Sequence, residues 1–473
     1  MKKPELLLPA NNLEVLKTAV RYGADAVYIG GEAFSLRAKA KNFSLRDMAE
    51  GVAFAHAART AARPNGVRVY VAANVIAHNA ELKEARDYFR ELKGIAPDAL
   101  IISDPGMFTL ARDVCPEIDV HISTQANNTN YETFLFWHRL GAKRVVCARE
   151  LTLAEIREIR AHIPDALEIE CFVHGSMCVS YSGRCLLSAY MTGRDANRGA
   201  CAHPCRYRYA VVEETRPGEY MPVYENEKGT FLFNSKDLCM LGHIPELLEA
   251  GVNSLKIEGR MKNALYVATI ARAYRLAVDD VCREDGKISH AAYEKNLPQY
   301  MEEIGKCTYR AYTTGFYCKE EGERVDAQMQ IYDNASYAGD AAYLGTIEEV
   351  VRTDKVPESG CVAVSKDRKQ RETDERTEAR AKQGAENRDE RTLYKFSQRN
   401  KFLVGDAVEI MKPDGSNLRA RVAGLYDEAF SPIESCPHPK RTVYMELAGI
   451  EERAIRERGK TDALPEAGDV FRG

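Results

Sequence analysis

The sequence predicts an α/β fold, a TIM-like (β/α)8 barrel followed by a small C-terminal β-barrel or sandwich domain. Over roughly the first 280 residues, short β-type apolar runs alternate with stretches of helical period, which is the pattern of repeated βα units. The apolar runs number eight, the strand count of a closed barrel. Beyond them the chain changes to short alternating strands separated by turns.

The competing architecture is an open, doubly wound parallel sheet. Such a sheet is expected to carry a glycine-rich phosphate-binding turn after its first strand. Here that turn reads Leu8-Pro9-Ala10-Asn11-Asn12 and contains no glycine. The closed barrel is therefore favoured.

The barrel elements follow one another in regular order. The eight predicted strands are Glu5–Pro9, Asp25–Gly30, Val67–Asn74, Ala99–Ser103, Asp119–Thr124, Arg144–Ala148, Leu167–Val173 and Val252–Ile257. The predicted helices include Asn12–Tyr22, Ser44–Ala58, Ala80–Leu92, Thr152–Ala161, Asn263–Asp279 and Ala291–Ile304. Active groups of such barrels lie where strands pass into loops at the carboxyl end. This rule selects as mouth residues Gly30, Gly31, Asn74, Asp104, Thr124, Gln125, Arg149, Glu150, His174 and Glu258.

A long excursion interrupts the pattern after the seventh strand. About 75 residues separate Val173 from Val252, whereas βα loops usually have only a few residues. We assign residues 174–251 to this excursion, within a catalytic domain of residues 1–325, and expect it to be functional.

The remaining residues, 326–473, are predicted to form a β-rich domain. Its β-type stretches are Ala342–Val351, Lys401–Met411, Leu418–Gly424 and Arg441–Leu447. Residues 366–392 carry nine basic and eight acidic side chains and no aliphatic side chain larger than that of Ala. Such a segment cannot bury a face, so we predict a disordered insertion there.

The composition narrows the class of protein. Hydrophobic residues make up 45% of the chain, as in ordinary globular proteins. With a net charge of -4, the protein does not have the overall positive charge typical of nucleic-acid-binding proteins, although a local basic patch is allowed. No apolar run reaches the roughly 20 residues of a membrane-spanning helix, and the amino terminus does not read as a secretory signal. We therefore expect a cytoplasmic protein with no membrane partner.

Five of the 13 cysteines fall in the excursion. They are Cys178, Cys185, Cys201, Cys205 and Cys239. Thiolates are soft ligands that suit zinc or an iron–sulfur cluster, and either site needs four of them. Paired Cys-x2-Cys knuckles, which are typical of structural zinc, are missing, so the spacing favours a cluster. The others are predicted to be plain buried residues: Cys115, Cys147, Cys171, Cys282, Cys307, Cys318, Cys361 and Cys436.

The chain resembles peptidase family U-32, the collagenase-like group. The resemblance is carried by Glu170-Cys-Phe-Val-His-Gly-Ser-Met-Cys178 with Cys185 and Ser188, by Glu5-Leu-Leu-Leu-Pro-Ala10, Asp25-Ala-Val-Tyr-Ile-Gly-Gly31 and Ser123-Thr-Gln125, and by Asn234-Ser-Lys-Asp-Leu-Cys239, Lys256-Ile-Glu-Gly-Arg260 and Gln398-Arg-Asn-Lys-Phe402. These segments span nearly the whole chain apart from the charged insertion. That insertion departs from the pattern of the branch that the chain resembles most.

The resemblance implies either a protease or an oxygen-independent hydroxylase. The long form with a C-terminal β-domain is similar to the branch that makes 5-hydroxyuridine at the tRNA wobble position with prephenate as hydroxyl donor. By resemblance, Cys178, Cys185 and Cys239 are ligands of a [4Fe-4S] cluster, with Cys201 as the fourth ligand and Cys205 as its competitor. The implied partners are tRNA or another RNA, a small carboxylate donor, and electron-donor or sulfur-cluster delivery proteins.

Charged residues at the mouth are candidates for catalysis. Arg149 and Arg260 could grip a carboxylate donor, since a guanidinium fork matches carboxylate geometry. Glu150, Asp237 and Glu258 could orient these arginines or transfer protons. Ordinary ion pairs at the barrel rim are an equally good explanation for each residue.

Two alternatives to RNA hydroxylation are open. In a peptidase, Ser176 could be the nucleophile and His174 its base, but no third orienting group is identifiable and a simple Gly-Ser turn is favoured. In a zinc-stabilised RNA-binding protein, the cysteines would be purely structural. The five arginines of residues 184–208, interleaved with aromatic residues, suit RNA phosphates and unpaired bases, or merely lower thiolate pKa values.

Overall fold

Two compact units, Met1–Asp340 and Ala341–Gly473, make up the chain. The computed structural model describes residues 3–35, 42–60, 63–177, 181, 185–194, 201–202, 204, 225–226, 229–230, 236–282, 288–307, 309–319, 341–353, 391–436, 439–454 and 463–473.

The first unit contains a closed barrel of eight parallel strands. They are β1 (Glu5–Pro9), β2 (Ala26–Gly30), β3 (Arg68–Ala72), β4 (Ala99–Ile102), β5 (Asp119–Ile122), β6 (Arg144–Val146), β7 (Glu168–Ser176) and β11 (Ser254–Ile257). Neighbours in this order pair in parallel, and β11 closes the barrel by pairing with both β7 and β1. The predicted fold class is confirmed. The predicted strand ends agree within about two residues, except that β7 continues to Ser176.

Helices alternate with these strands and continue beyond them. They are α1 (Leu13–Arg21), α2 (Leu45–Ala57), α3 (Leu82–Ile95), α4 (Pro105–Val114), α5 (Tyr131–Arg139), α6 (Leu153–His162), α7 (Leu187–Thr192), α8 (Ile244–Glu249), α9 (Ala264–Val281) and α10 (Ala291–Gly305). Asn12, Ser44, Thr152 and Asn263 cap α1, α2, α6 and α9 by accepting hydrogen bonds from backbone N–H groups of the first turn. None of the helices described in the structure combines the length and apolar character needed to cross a membrane.

A buried charged network fills the amino end of the barrel. Arg144 at the start of β6 is 1% exposed and donates hydrogen bonds to Glu5 at 2.5 Å, to Glu168 at 2.6 Å and to Glu170 at 3.0 Å. Lys256 Nζ donates to the other Glu170 oxygen at 2.6 Å. These side chains neutralise one another, so this end of the barrel is a packed polar core.

Two further strands extend the barrel sheet, and two others form a separate small sheet. In the small sheet β8 (Glu225–Asn226) pairs antiparallel with β9 (Gly229–Thr230). In the barrel sheet β10 (Asp237–Cys239) pairs antiparallel with the last residues of β7. Strand β12 (Tyr312–Thr313) then pairs in parallel with β10. The carboxyl end of β7 therefore has neighbours that no other barrel strand has.

The second unit is a closed antiparallel barrel of six strands. They are β13 (Tyr343–Thr353), β14 (Arg391–Ser397), β15 (Ala407–Met411), β16 (Ser416–Tyr426), β17 (Thr442–Ala454) and β18 (Val470–Arg472), in the order β13-β14-β17-β16-β15-β18. Buried side chains from the strands and from the loop before β15 form its core, among them Ile347, Phe396, Phe402, Met445 and Phe471.

Several predictions for this unit need correction. Strands β14 and β18 were not predicted, and residues 401–406 of the predicted strand Lys401–Met411 form a loop before β15. The predicted insertion 366–392 lies outside the described residues except for Arg391 and Thr392, which begin β14.

Candidate functional site

The carboxyl end of the eight-stranded barrel collects residues from several strands. His174 lies near the end of β7, Arg149 follows β6, and Glu258 follows β11. Asn74 and Gln125 follow β3 and β5, and Asn74 Nδ2 donates a hydrogen bond to Gln125 Oε1 at 2.5 Å. The closed barrel therefore brings polar groups from distant segments to its carboxyl end, as expected for barrels of this kind.

Two of the mouth residues serve the fold locally. Asp104 caps α4 by accepting a hydrogen bond from Met107 N at 2.9 Å. The Thr124 hydroxyl donates to the Cys147 carbonyl oxygen at 2.9 Å and so ties the ends of β5 and β6 together. These contacts give both residues a structural role.

Arg149 places a buried positive charge at the mouth. The residue is 8% exposed, its Nη1 donates to the Ser176 carbonyl oxygen at 2.8 Å, and its guanidinium lies 4.1 Å from the centroid of the Phe172 ring. Among the described residues, Nε has no hydrogen-bond partner and the guanidinium has no carboxylate within ion-pair distance. Because burial of an unneutralised cation is costly, this arrangement is suited to an anionic ligand with a carboxylate or phosphate group.

Two acids are predicted to orient the arginines or to transfer protons. Glu150 is half-buried, and burial raises its pKa although the nearby Arg149 charge lowers it. Asp237 is buried at the start of β10, and its Oδ2 accepts a hydrogen bond from the backbone N–H of Arg310 at 3.1 Å. Their roles in orienting arginines or moving protons stay predictions.

Arg260 and Glu258 contact β2 and the loop after it. Arg260 is buried and its Nη2 donates to the Ser35 hydroxyl at 2.6 Å. The Tyr28 hydroxyl lies 3.2 Å from the Glu258 carboxylate and donates to the Ile257 carbonyl oxygen at 3.0 Å. Arg260 therefore contacts a hydroxyl group here, whereas Arg149 contacts a backbone carbonyl.

His174 is enclosed by tyrosines. The ring centroids of Tyr312, Tyr274 and Tyr266 lie 5.4, 5.5 and 6.1 Å from that of His174, and the Tyr274 hydroxyl is 3.4 Å from Nδ1. Burial lowers the pKa of His174 to about 3, so the imidazole is neutral at pH 7. Within the described residues no hydrogen bond joins His174 to Ser176, the pair that a peptidase would need.

The predicted cluster ligands are described in part. Cys178 and Cys205 lie outside the described residues. Cys239 is a buried free thiol at the end of β10, and burial raises its pKa to about 11. Cys185 and Cys201 have intermediate exposure. No three His, Cys, Asp or Glu side chains of the described residues are grouped to hold a metal ion, so the ligand set stays a prediction.

The other cysteines are mostly core residues, as predicted. Those found buried are Cys115, Cys147, Cys171, Cys307 and Cys436. The prediction is wrong for Cys318, which is exposed, and for Cys282, which has intermediate exposure. Cys361 lies outside the described residues, as do four of the five arginines of residues 184–208. The fifth, Arg194, donates to the Cys201 carbonyl oxygen at 3.4 Å.

The aromatic residues of the site were missed by sequence reasoning. Phe172 could have been found, because it alternates with Glu170 and His174 along β7 and so shares their face of the strand. Tyr274 and Tyr312 come from α9 and β12, and their contacts with His174 have no local sequence signal.

Comparison with known proteins identifies similar chains. The model described as Peptidase family U32 matches residues 11–327, and the model described as Peptidase family U32 C-terminal domain matches residues 384–455. The chain is 36% identical over 447 residues to tRNA hydroxylation protein P1 of Bacillus subtilis (strain 168), covering 94% of this chain and 92% of that protein.

Two further relatives carry different names. The chain is 42% identical over 335 residues to an uncharacterized protease of Methanocaldococcus jannaschii, covering 70% of this chain and 77% of the relative. It is 37% identical over 319 residues to the 23S rRNA 5-hydroxycytidine C2501 synthase of Escherichia coli (strain K12), covering 67% of this chain and 46% of that protein.

Proposed function

This chain belongs to peptidase family U32, and from that membership we propose that it is an enzyme that hydroxylates a base of RNA. The relative from Bacillus subtilis, which aligns over nearly its whole length, is named for tRNA hydroxylation. The relative from Escherichia coli is named for synthesis of a hydroxylated cytidine in rRNA. Both names support chemistry on an RNA base.

The proposed substrate is a uridine at the wobble position of tRNA, converted to 5-hydroxyuridine. The extent of the alignments favours tRNA over rRNA. The tRNA relative covers 94% of this chain, including the C-terminal barrel, whereas the rRNA relative covers 67% of it.

The structural observation that supports a reaction at the barrel mouth is the buried guanidinium of Arg149. It forms no ion pair with a carboxylate in the described part of the chain. A small carboxylate donor of the hydroxyl group, such as prephenate, would supply the missing negative charge. The Phe172 ring, 4.1 Å from the guanidinium, packs against it and so helps to hold the fork that would meet a carboxylate. The neutral His174 would then offer one ring N–H as a hydrogen-bond donor and the other ring nitrogen as an acceptor.

The proposed cofactor is a [4Fe-4S] cluster held by Cys178, Cys185, Cys239 and either Cys201 or Cys205. Thiolates are the ligands that such clusters require, and Cys185 and Cys239 are free thiols. When bound, the cluster supplies electron transfer without molecular oxygen. Electron-donor and cluster-delivery proteins are then expected partners. A structural zinc held by the same thiolates is the alternative.

Replacing one proposed ligand tests this function. Cells that lack the gene and grow without oxygen would receive the wild-type chain or Cys185→Ser. We expect wild type, purified anaerobically, to contain about four irons per chain and to restore hydroxylated uridine in tRNA, as measured by nucleoside mass spectrometry. Cys185→Ser is expected to lose both iron and the modification.

Cys282→Ser is the matched control, since Cys282 is also a free thiol of intermediate exposure. It is expected to behave as wild type. Zinc without iron would instead support an RNA-binding scaffold. Peptide cleavage by the pure protein together with unchanged tRNA would support a peptidase.

A further inference from the structure

The segment Gln398–Phe402 lies on the second barrel and has no part in the chemistry proposed for the first. Gln398 is 1% exposed, and its Nε2 donates to the carbonyl oxygens of Asn400, at 3.1 Å, and Cys436. Its backbone N–H donates to the Arg441 carbonyl oxygen at 2.9 Å. Asn400 Nδ2 donates to the Tyr343 carbonyl oxygen at 2.7 Å. The loop is thus held to the barrel by hydrogen bonds from the buried Gln398 and the exposed Asn400.

Phe402 anchors the same loop by packing into the barrel core. It is 4% exposed, and its ring centroid lies 5.8 Å from that of Phe396 and 6.1 Å from that of Phe471. Every second residue of the segment is therefore anchored in the barrel. The intervening residues are both basic, and Arg399 is half-buried while Lys401 is exposed.

Two more basic residues lie beside this loop. The backbone N–H of Lys440 donates to the Gln398 carbonyl oxygen at 2.7 Å, and the side chains of Lys440 and Arg441 are exposed. We call Arg399, Lys401, Lys440 and Arg441 the basic loop surface. Lys401, Lys440 and Arg441 form no ion pair with any described residue, unlike Arg419 on the same barrel, which lies 3.6 Å from Glu409.

Two acids along these segments accept hydrogen bonds from backbone groups. Asp427 Oδ1 accepts hydrogen bonds from the backbone N–H groups of Ala429 and Ser431, both at 2.9 Å. Asp406 Oδ2 accepts from Leu403 N at 2.8 Å. Lys401, Lys440 and Arg441 therefore have no ion-pair partner among the described residues, and a polyanion would supply the opposite charge.

We propose that the basic loop surface binds the phosphate backbone of the RNA substrate. The inference rests on the proposed RNA hydroxylation and adds a second contact region on the C-terminal barrel. Cations on a rigid loop lose little conformational freedom when they meet phosphates, so the anchoring by Gln398, Asn400 and Phe402 favours binding. Such contacts position RNA without reading its sequence.

The test is RNA binding by the full chain carrying Lys401→Gln, Lys440→Gln and Arg441→Gln together. Fluorescence anisotropy with an unmodified tRNA transcript gives Kd over a range of salt concentrations. We expect affinity to fall at least about tenfold near 0.1 M salt, and the slope of log affinity against log salt to decrease by about two to three.

The control variant carries Arg352→Gln, Arg419→Gln and Arg453→Gln. These arginines are exposed and remote from the basic loop surface, which lies after the end of β14 and before the start of β17. Arg352 pairs with Thr392 at the start of β14, and Arg453, near the end of β17, pairs with Asn417. The control is expected to keep the wild-type slope, and thermal unfolding of both variants checks the fold.

Equal slopes for wild type and the basic-loop variant would overturn the inference, as would equal losses in both variants or a wild type without salt-dependent RNA binding. This assay does not measure hydroxylation, so its outcome is independent of the proposed function. The proposed function would be contradicted by unchanged tRNA nucleosides in cells that lack the protein.

Discussion

Two buried arginines in the same barrel have opposite surroundings. Arg144 is neutralised by Glu5, Glu168 and Glu170 through hydrogen bonds of 2.5 to 3.0 Å. Arg149 has no such partner among the described residues. Removing one partner of a buried ion pair destabilises the folded protein, because the other charge is left buried and unpaired. Removing a buried cation that has no ion pair instead relieves the cost of desolvating it. The two residues should therefore respond differently to the same substitution.

We predict that Arg149→Met leaves the unfolding free energy unchanged or raises it, while RNA hydroxylation falls at least about tenfold, equivalent to about 1.4 kcal/mol. The physical reason is that no described carboxylate pairs with this charge in the folded protein, whereas the proposed carboxylate donor would bind to it. Denaturant unfolding and nucleoside mass spectrometry measure the two effects.

Arg144→Met is the control for that substitution. It leaves the buried carboxylates of Glu5 and Glu170 and the half-buried one of Glu168 without this guanidinium, so we expect a loss of about 3–5 kcal/mol of stability. A loss of that size in Arg149→Met, with hydroxylation intact, would show that Arg149 is a structural residue.

His121 makes the stability of the first barrel depend on pH. Burial lowers its pKa well below the usual value, as do the charges of Arg144, Lys256 and Arg68, while Glu5 opposes them. The folded state therefore keeps His121 neutral at a pH where the unfolded chain binds a proton. Stability from this group is present above pH about 6.5 and is lost as the pH falls below it.

We predict that His121→Asn flattens the acid side of the stability profile. Between pH 6.5 and 5, wild type should lose up to about 1.4 kcal/mol per pH unit more than the variant. The range stays above the usual pKa of Glu5, whose own depressed pKa acts at lower pH. Denaturant titrations across this range check the prediction, and parallel profiles would contradict it.

The position of Arg149 could be predicted from sequence, because it follows a barrel strand. That it forms no ion pair with a described carboxylate could not, since its surroundings include Phe172 and Ser176, which the closed barrel brings to it. For the same reason the tyrosines around His174 escaped prediction.

Among the elements, β7 has the most unusual end. Gly175 has φ +105°, and a Cβ added there would overlap the Glu258 carbonyl oxygen at the end of β11. A glycine lets β7 pass this backbone closely and turn toward β10. His174 and Ser176, on either side, take their positions from this turn.

We predict that Gly175→Ala costs clearly more stability than Gly193→Ala. Gly193 also has positive φ, +67°, but a Cβ there meets nothing within 4 Å. Gly193→Ala should cost about 1–2 kcal/mol from backbone strain alone, and Gly175→Ala a further 1–3 kcal/mol or so from overlap with β11. Equal losses in thermal or denaturant unfolding would contradict the close approach.

Helix starts were predictable because capping residues have a local chemical signature, as at Asn12, Ser44 and Thr152. Strands set by distant pairing were not. Residues Arg391–Ser397 follow a long charged run, and Val470–Arg472 is only three residues long, so neither stands out before the barrel closes around it. The extension of β7 to Ser176 likewise depends on its pairing with β10.

At the scale of the whole molecule, the eight-stranded barrel and the family could both be predicted from the sequence. Eight alternating units and motifs spread over the chain are properties of the sequence itself. The cluster ligands were predicted from resemblance, and Cys178 and Cys205 lie outside the described residues. Their meeting around one metal centre depends on how the excursion folds, which spacing alone does not determine.

The most direct test of RNA hydroxylation compares tRNA nucleosides from cells with and without the gene, in a host that has no second U32 hydroxylase. The account predicts that nucleosides derived from 5-hydroxyuridine disappear on deletion and return when the wild-type gene is restored. An unchanged nucleoside profile in the deletion strain would contradict it.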